Sequence, residues 1–140
     1  MKDEGGGGRE LCRHTLIEFH GCDDGVLGRT AAIRTRVVSA VRAGGGTIVR
    51  SLFHQFSPWG VSGVVVITES HVTIHTWPEH GYAAVDIFSC SPRLDHDEIV
   101  GKLRAALGAR RVRRRSFRRG EVGAAGGATG ARSTKRFPAE

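Results

Sequence analysis

The stretch GVSGVVVITESHVTIHTWPE, Gly60–Glu79, decides the fold. Branched residues dominate both of its ends, so it favours extended chain. As one uninterrupted strand, residues 64–77 would reach ~45 Å, far beyond the usual strand length. A break is required, and Glu69-Ser70-His71 is the polar interruption on offer. The residues that normally make tight hairpins, Gly, Pro and Asn, are absent there, so the spacing predicts an irregular, strained bend. Strain at a serine has a chemical use, because its hydroxyl can attack the preceding carbonyl and relieve it.

Outward from this stretch, RHTLIEFHGC (13–22) alternates Thr15, Ile17 and Phe19 against His14, Leu16, Glu18 and His20, a strand pattern. Asp23 and Asp24 offer N-caps to a helix running to about Ala43, with Leu27, Ala31, Val38 and Val41 as its apolar stripe and Val37 beside it. Gly44, Gly45 and Gly46 stop it. TIVRSLFHQF (47–56) reads as a strand closed by a turn at SPWG, and YAAVDIFSC (82–90) as another. A second helix starts near Asp95 and stacks Ile99, Leu103 and Leu107 before Gly108. RRVRRRSF then suits an edge strand, where dense charge discourages further pairing.

The resulting order predicts an α+β fold, a two-layer sandwich with helices on one face of a mostly antiparallel sheet. Apolar residues on both alternations of VVVI predict that the uncovered face meets a second copy, giving a dimer. The 140 residues suffice for one domain, expected over residues 13–119, with a flexible segment 1–12 before it and a disordered Gly/Ala-rich tail over 120–140.

The net charge of +7 gathers in RRVRRRSFRR, Arg110–Arg119, which admits a basic nucleic-acid-binding protein as an alternative. A solvated edge strand is the plainer reading, and a nucleic-acid partner is not expected. Nothing approaches the ~20 apolar residues that span a bilayer, and the polar MKDEGGGGRE start predicts neither a secretory signal nor a membrane partner. Three cysteines without CxxC spacing, Cys12, Cys22 and Cys90, suit a reducing cytoplasm better than a disulfide scaffold.

For His71 and His75, four residues along a strand means a separation of ~13 Å, too far for a shared zinc, so no metal is expected. A triad drawn from Ser70, His75 and Asp86, or one with Cys90 as nucleophile, lacks the G-x-S-x-G elbow. No phosphate-cradling glycine motif occurs.

The segment FHQFSPWGVSGVVVITESHVTIHTWPEHGYAAVDIFSC, preceded by RHTLIEFHGCD, resembles the short prokaryotic S-adenosylmethionine decarboxylase proenzymes. The resemblance runs from about Arg13 to Gly120, and the core ESHxxIHTWPExGYAAVD is long and specific. It implies an autoprocessing carboxy-lyase of polyamine biosynthesis, cleaved between Glu69 and Ser70 into β and α chains, with Ser70 becoming a covalent pyruvoyl cofactor. That carbonyl would form a Schiff base with S-adenosylmethionine, and the decarboxylated product donates aminopropyl groups for spermidine.

By the same resemblance His75 is the processing proton acceptor, Ser62 assists processing, and Cys90 is the proton donor. Phe56 would stack on adenine, Glu79 would bind the ribose hydroxyls, and the sites would form near the interface of a homodimer. Relatives within this family have turned to arginine, but the retention of Phe56 and Glu79 favours S-adenosylmethionine. Two departures stand out: Ser91-Pro92 follows Cys90 where glycine is usual, and Trp59 occupies a place expected to be smaller or polar.

Overall fold

The computed structural model describes residues 9–123, with the side chains of Arg9 and Glu10 left aside. Residues 9–12, expected to be flexible, and residues 120–122, expected to belong to a disordered tail, are strand instead, with Arg9 opposite Val122; the rest of the expected flexible start, up to residue 8, and of the tail beyond residue 123 lies outside the described residues. Six strands form a single antiparallel sheet: β1 (Arg9–His20), β2 (Ile48–Gln55), β3 (Val61–Ile67), β4 (Ser70–Trp77), β5 (Tyr82–Ser89) and β6 (Arg111–Val122). Their spatial order is β2-β3-β4-β5-β1-β6. Helices α1 (Asp24–Leu27), α2 (Thr30–Ala43) and α3 (His96–Leu107) complete the α+β sandwich.

The period-two pattern of β1 works as written. Thr15, Ile17 and Phe19 are buried toward the helices, while His14, Leu16, Glu18 and His20 lie on the other face. β1 is held on both sides, by β5 (Ile17 opposite Val85) and by β6 (Ile17 opposite Arg114). The core between sheet and helices joins Phe19, Val65, Val72, Ile74 and Ile87 to Val41, Ile99 and Leu103.

The first helix differs from the sequence expectation. Asp23 caps it, accepting from the Gly25 N–H at 2.9 Å, but the chain breaks after one turn at Gly28 and restarts at Thr30. The restart resets the helical phase. α2 therefore buries Ile33, Val37, Ala40 and Val41, whereas Ala31 is exposed and Val38 only partly buried. Gly44 is required where α2 meets α3, because a Cβ there would sit 2.5 Å from Cγ1 of Ile99. α3 follows the expected plan, with the Asp95 carboxylate accepting from the Glu98 N–H at 3.0 Å and Gly108 left-handed at its end.

The expected break in Gly60–Glu79 is there, and it is tighter than expected. Ile67 pairs with Ser70, leaving Thr68-Glu69 as a two-residue hairpin turn. Neither turn residue has positive φ, so the turn is not one of the primed types that match strand twist. The mismatch falls on the next residue. Ser70 has φ 144° and is the sole non-glycine with positive φ among the described residues.

The sheet face turned away from the helices carries Leu52, Val66, Trp77 and Phe117, all well exposed. β6 is an edge strand, and its Arg114 pairs with Asp97 of α3 at 2.8 Å. No helix among the described residues is long and apolar enough to cross a membrane.

Candidate active site

Two clusters of chemistry-bearing residues sit at opposite ends of β4. At its start, the Ser70 Oγ lies 3.3 Å from the Cys90 Sγ, and the Cys90 N–H donates to the Glu69 carbonyl oxygen at 2.9 Å. The turn is also held from the β2 side: the Thr68 N–H donates to the Thr47 carbonyl at 3.0 Å, and the Thr47 N–H to the Glu69 carboxylate at 3.3 Å. Desolvation, the largest single influence on the Glu69 carboxyl, raises its pKa. Hydrogen bonds from Thr68, the Glu69 backbone and Thr47 outweigh it and hold the carboxyl below its usual range. The turn that carries the Glu69–Ser70 peptide bond is thus held at three points, one of them the carbonyl of that bond.

Behind this end, His96 is buried and bridges the Thr15 hydroxyl (2.8 Å) and the Ser89 hydroxyl (2.7 Å). Burial lowers its pKa, helped by the positive charges of Arg13 and Arg114. A cavity of about 460 Å³ opens beside them, lined by Cys12, Arg13, Cys90, Pro92, Leu94 and His96 among others.

Cys12, which the sequence reading left without a role, is bonded to Cys90 through a disulfide. This departs from the expectation of free thiols. The cause is register: Arg13 pairs with Ser89, so the preceding Cys12 on β1 comes level with Cys90, the residue just after β5, their Cα atoms 4.0 Å apart. The remaining cysteine, Cys22, is buried, and desolvation pushes its thiol up to about 11.

The second cluster gathers around the far end of β4. Ser62 and His75 are register partners on β3 and β4, with Ser62 Oγ 2.7 Å from His75 Nδ1. Trp77 lies one step beyond on the same face, its ring 6.4 Å from that of His75. Phe56, about half exposed, packs edge-on to His54 with ring centroids 4.6 Å apart. Trp59 donates from its indole N–H to the Glu79 carboxylate at 3.1 Å, so the unexpected tryptophan anchors the acid expected to bind ribose.

The structure therefore pairs Ser62 with His75, and Ser70 with Cys90, but it does not bring these pairs together within one chain. Ser70 and His75 are five residues apart on one strand, a span of ~17 Å. Nearness in sequence left their convergence open, and the extended backbone of β4 prevents it.

The sequence profile of the family described as S-adenosylmethionine decarboxylase matches residues 13–120. Among similar proteins is the S-adenosylmethionine decarboxylase proenzyme of Thermotoga petrophila, 50% identical over 104 residues, which cover 74% of this chain and 80% of that one. Its counterpart from Acidithiobacillus ferrooxidans is 40% identical over 114 residues, 81% of this chain and 86% of that one. The crystal structure of the adenosylmethionine decarboxylase from Aquifex aeolicus superposes with a TM-score of 0.75 at 34% identity, covering 81% of this chain and 94% of that one. The family match takes in at least part of every strand from β1 to β6, and the chain belongs to the S-adenosylmethionine decarboxylase family.

Proposed function

We propose that this chain is the precursor of a pyruvoyl-dependent decarboxylase, cut by its own Ser70, that releases CO2 from S-adenosylmethionine and yields the aminopropyl donor for spermidine. The observation that carries this reading is the backbone of Ser70. A β-carbon residue at φ 144° costs on the order of 1–3 kcal/mol. That angle is defined across the very peptide bond to be cut, so cleavage abolishes the constraint.

The residues around Ser70 fit the formation of the group. The Ser70 hydroxyl attacks the Glu69 carbonyl carbon, and the Cys90 N–H, already on that carbonyl oxygen at 2.9 Å, stabilises the developing negative charge. Collapse moves the acyl group from nitrogen to oxygen, giving an ester. A base then takes the Ser70 α-proton, the Glu69 carboxylate leaves, and water replaces the nitrogen as ammonia. The group so formed supplies a carbonyl that accepts the electron pair released by decarboxylation.

His75 is the base we assign, with Ser62 holding its Nδ1, and their ~17 Å separation from Ser70 requires a second copy of the chain. Two copies packed through the open sheet face would set the Ser62–His75 end of one against the Ser70 end of the other. Phe56 would then offer its ring to adenine and to the sulfonium, and Glu79, held by Trp59, would take the ribose hydroxyls. Cys90 returns the proton to substrate carbon. That role needs a thiol, so a reducing cytoplasm is the compartment we assign, and residues 13–119 form the catalytic unit.

Co-expression tests both parts. Neither Ser70→Ala nor His75→Ala is expected to split when expressed alone. When they are produced together, the His75→Ala chain is expected to split between Glu69 and Ser70, because the other chain lends it His75. Wild-type protein that stays whole on intact-mass analysis overturns the decarboxylase reading. Absence of splitting in the mixed sample, with wild type splitting normally, overturns the shared site alone. Release of labelled CO2 from carboxyl-labelled S-adenosylmethionine then checks the substrate.

A further inference from the structure

We infer that Cys12 and Cys90 form a reversible redox-modification site, oxidised by low-molecular-weight disulfides, that removes the proton donor and links the two processed chains. The inference rests on the assignment of Cys90 as proton donor. Its physical basis is the strand register. Cys12 on β1 and Cys90, one residue past the end of β5, are set side by side by the Arg13–Ser89 pairing of these hydrogen-bonded strands, with Cα atoms 4.0 Å apart.

Access and charge favour the chemistry. Cys90 is exposed, Cys12 is half-buried, and the cavity lined by both opens next to them. Arg13 follows Cys12, and Arg119 faces it across β6. A cationic neighbourhood of this kind favours the thiolate, the attacking species in exchange, and attracts an anionic oxidant. Cys22, buried with its thiol pushed up to about 11, stays out of the reaction.

The exchange balances with an external disulfide such as oxidised glutathione. One cysteine thiolate attacks it, forming a mixed disulfide and releasing one glutathione thiolate, which takes up the proton. The second cysteine then attacks the bound sulfur, closing Cys12–Cys90 and releasing the second glutathione. The two protein thiols are oxidised and one glutathione disulfide is reduced to two thiols.

Oxidation acts selectively. The Cys90 N–H donation to Glu69 uses the backbone and survives disulfide formation, so self-cleavage continues. The S–H needed in each turnover is gone. Cys12 lies before the cut and Cys90 after it, so the disulfide joins the two processed chains covalently.

The experiment treats processed wild type and Cys12→Ser with oxidised glutathione, then measures non-reducing intact mass and CO2 release before and after dithiothreitol. For wild type, one linked species is expected, with activity reduced more than tenfold and restored by reductant. Cys12→Ser is expected to match reduced wild type in activity before treatment, and afterwards to remain as two separate chains with at most one glutathione added to the chain that holds Cys90. Two unlinked wild-type chains, or linked chains in Cys12→Ser, overturn the inference. A chain that never splits even when reduced instead overturns the processing mechanism, and the loss of two hydrogens still reports the disulfide there.

Discussion

At the scale of single residues, Ser70 sets a conflict between stability and chemistry. Glycine tolerates φ 144°, whereas any side chain pays for it. Ser70→Gly and Ser70→Ala are both expected to stay whole. The glycine chain should be the more stable by about 1 kcal/mol in urea unfolding, the reverse of the usual order in a strand. Equal midpoints would show that the serine is not strained. Trp59 is the other informative position. Trp59→Phe keeps an aromatic ring but frees the Glu79 carboxylate from its 3.1 Å hydrogen bond. Loss of ~1 kcal/mol of positioning predicts a KM for S-adenosylmethionine about fivefold higher, with kcat nearly unchanged. Steady-state kinetics decides it. The importance of Ser70 was legible from the sequence, because a polar break in a β run with no turn residue is a local anomaly. The tie between Trp59 and Glu79 was not, since it depends on how two loops meet.

Among the elements, β1 and α3 show which positions a periodic pattern reveals. Alternation along β1 and the spacing of Ile99, Leu103 and Leu107 on α3 predicted their buried faces correctly. The helix from Asp23 misled because Gly28 lets the chain restart at Thr30, and a new phase cannot be read from composition. Gly63 is a further case of hidden constraint. A Cβ there would lie 2.3 Å from the Phe53 ring, which crosses β3 at that point. Gly63→Ala is expected to destabilise the precursor by about 1–3 kcal/mol through overpacking. It should also shift the adjacent Ser62 and slow splitting. A thermal melt beside a processing time course measures both effects.

For the whole molecule, the proposed site is divided between the two ends of β4, which the sequence places misleadingly close together. Periodicity does report an open apolar face, but it cannot say which end of one copy meets which end of another. Leu52, 68% exposed on that face, tests the packing. Leu52→Asp puts a charge where a second sheet would lie, far from Ser70 and Cys90. It is expected to sediment as a monomer and to split about tenfold more slowly or not at all. A dimeric, normally split Leu52→Asp protein would mean that the sheets do not meet there.

The placement of β1 has a consequence for the life history of the protein. β1 belongs to the segment before Glu69, yet it is hydrogen-bonded between β5 and β6, both from the segment after it. The proposed cut therefore divides a woven sheet whose pieces cannot come apart without breaking three ladders at once, β3–β4, β1–β5 and β1–β6. Building that weave is a unimolecular task for the precursor and a bimolecular one for the mature protein. Recovery of far-ultraviolet circular dichroism after dilution from denaturant should be independent of concentration for Ser70→Ala, and should slow on dilution for the reduced, split protein. Maturation is then a ratchet: the chain must finish weaving before it is cut, and once cut and unravelled it has lost its simplest way back.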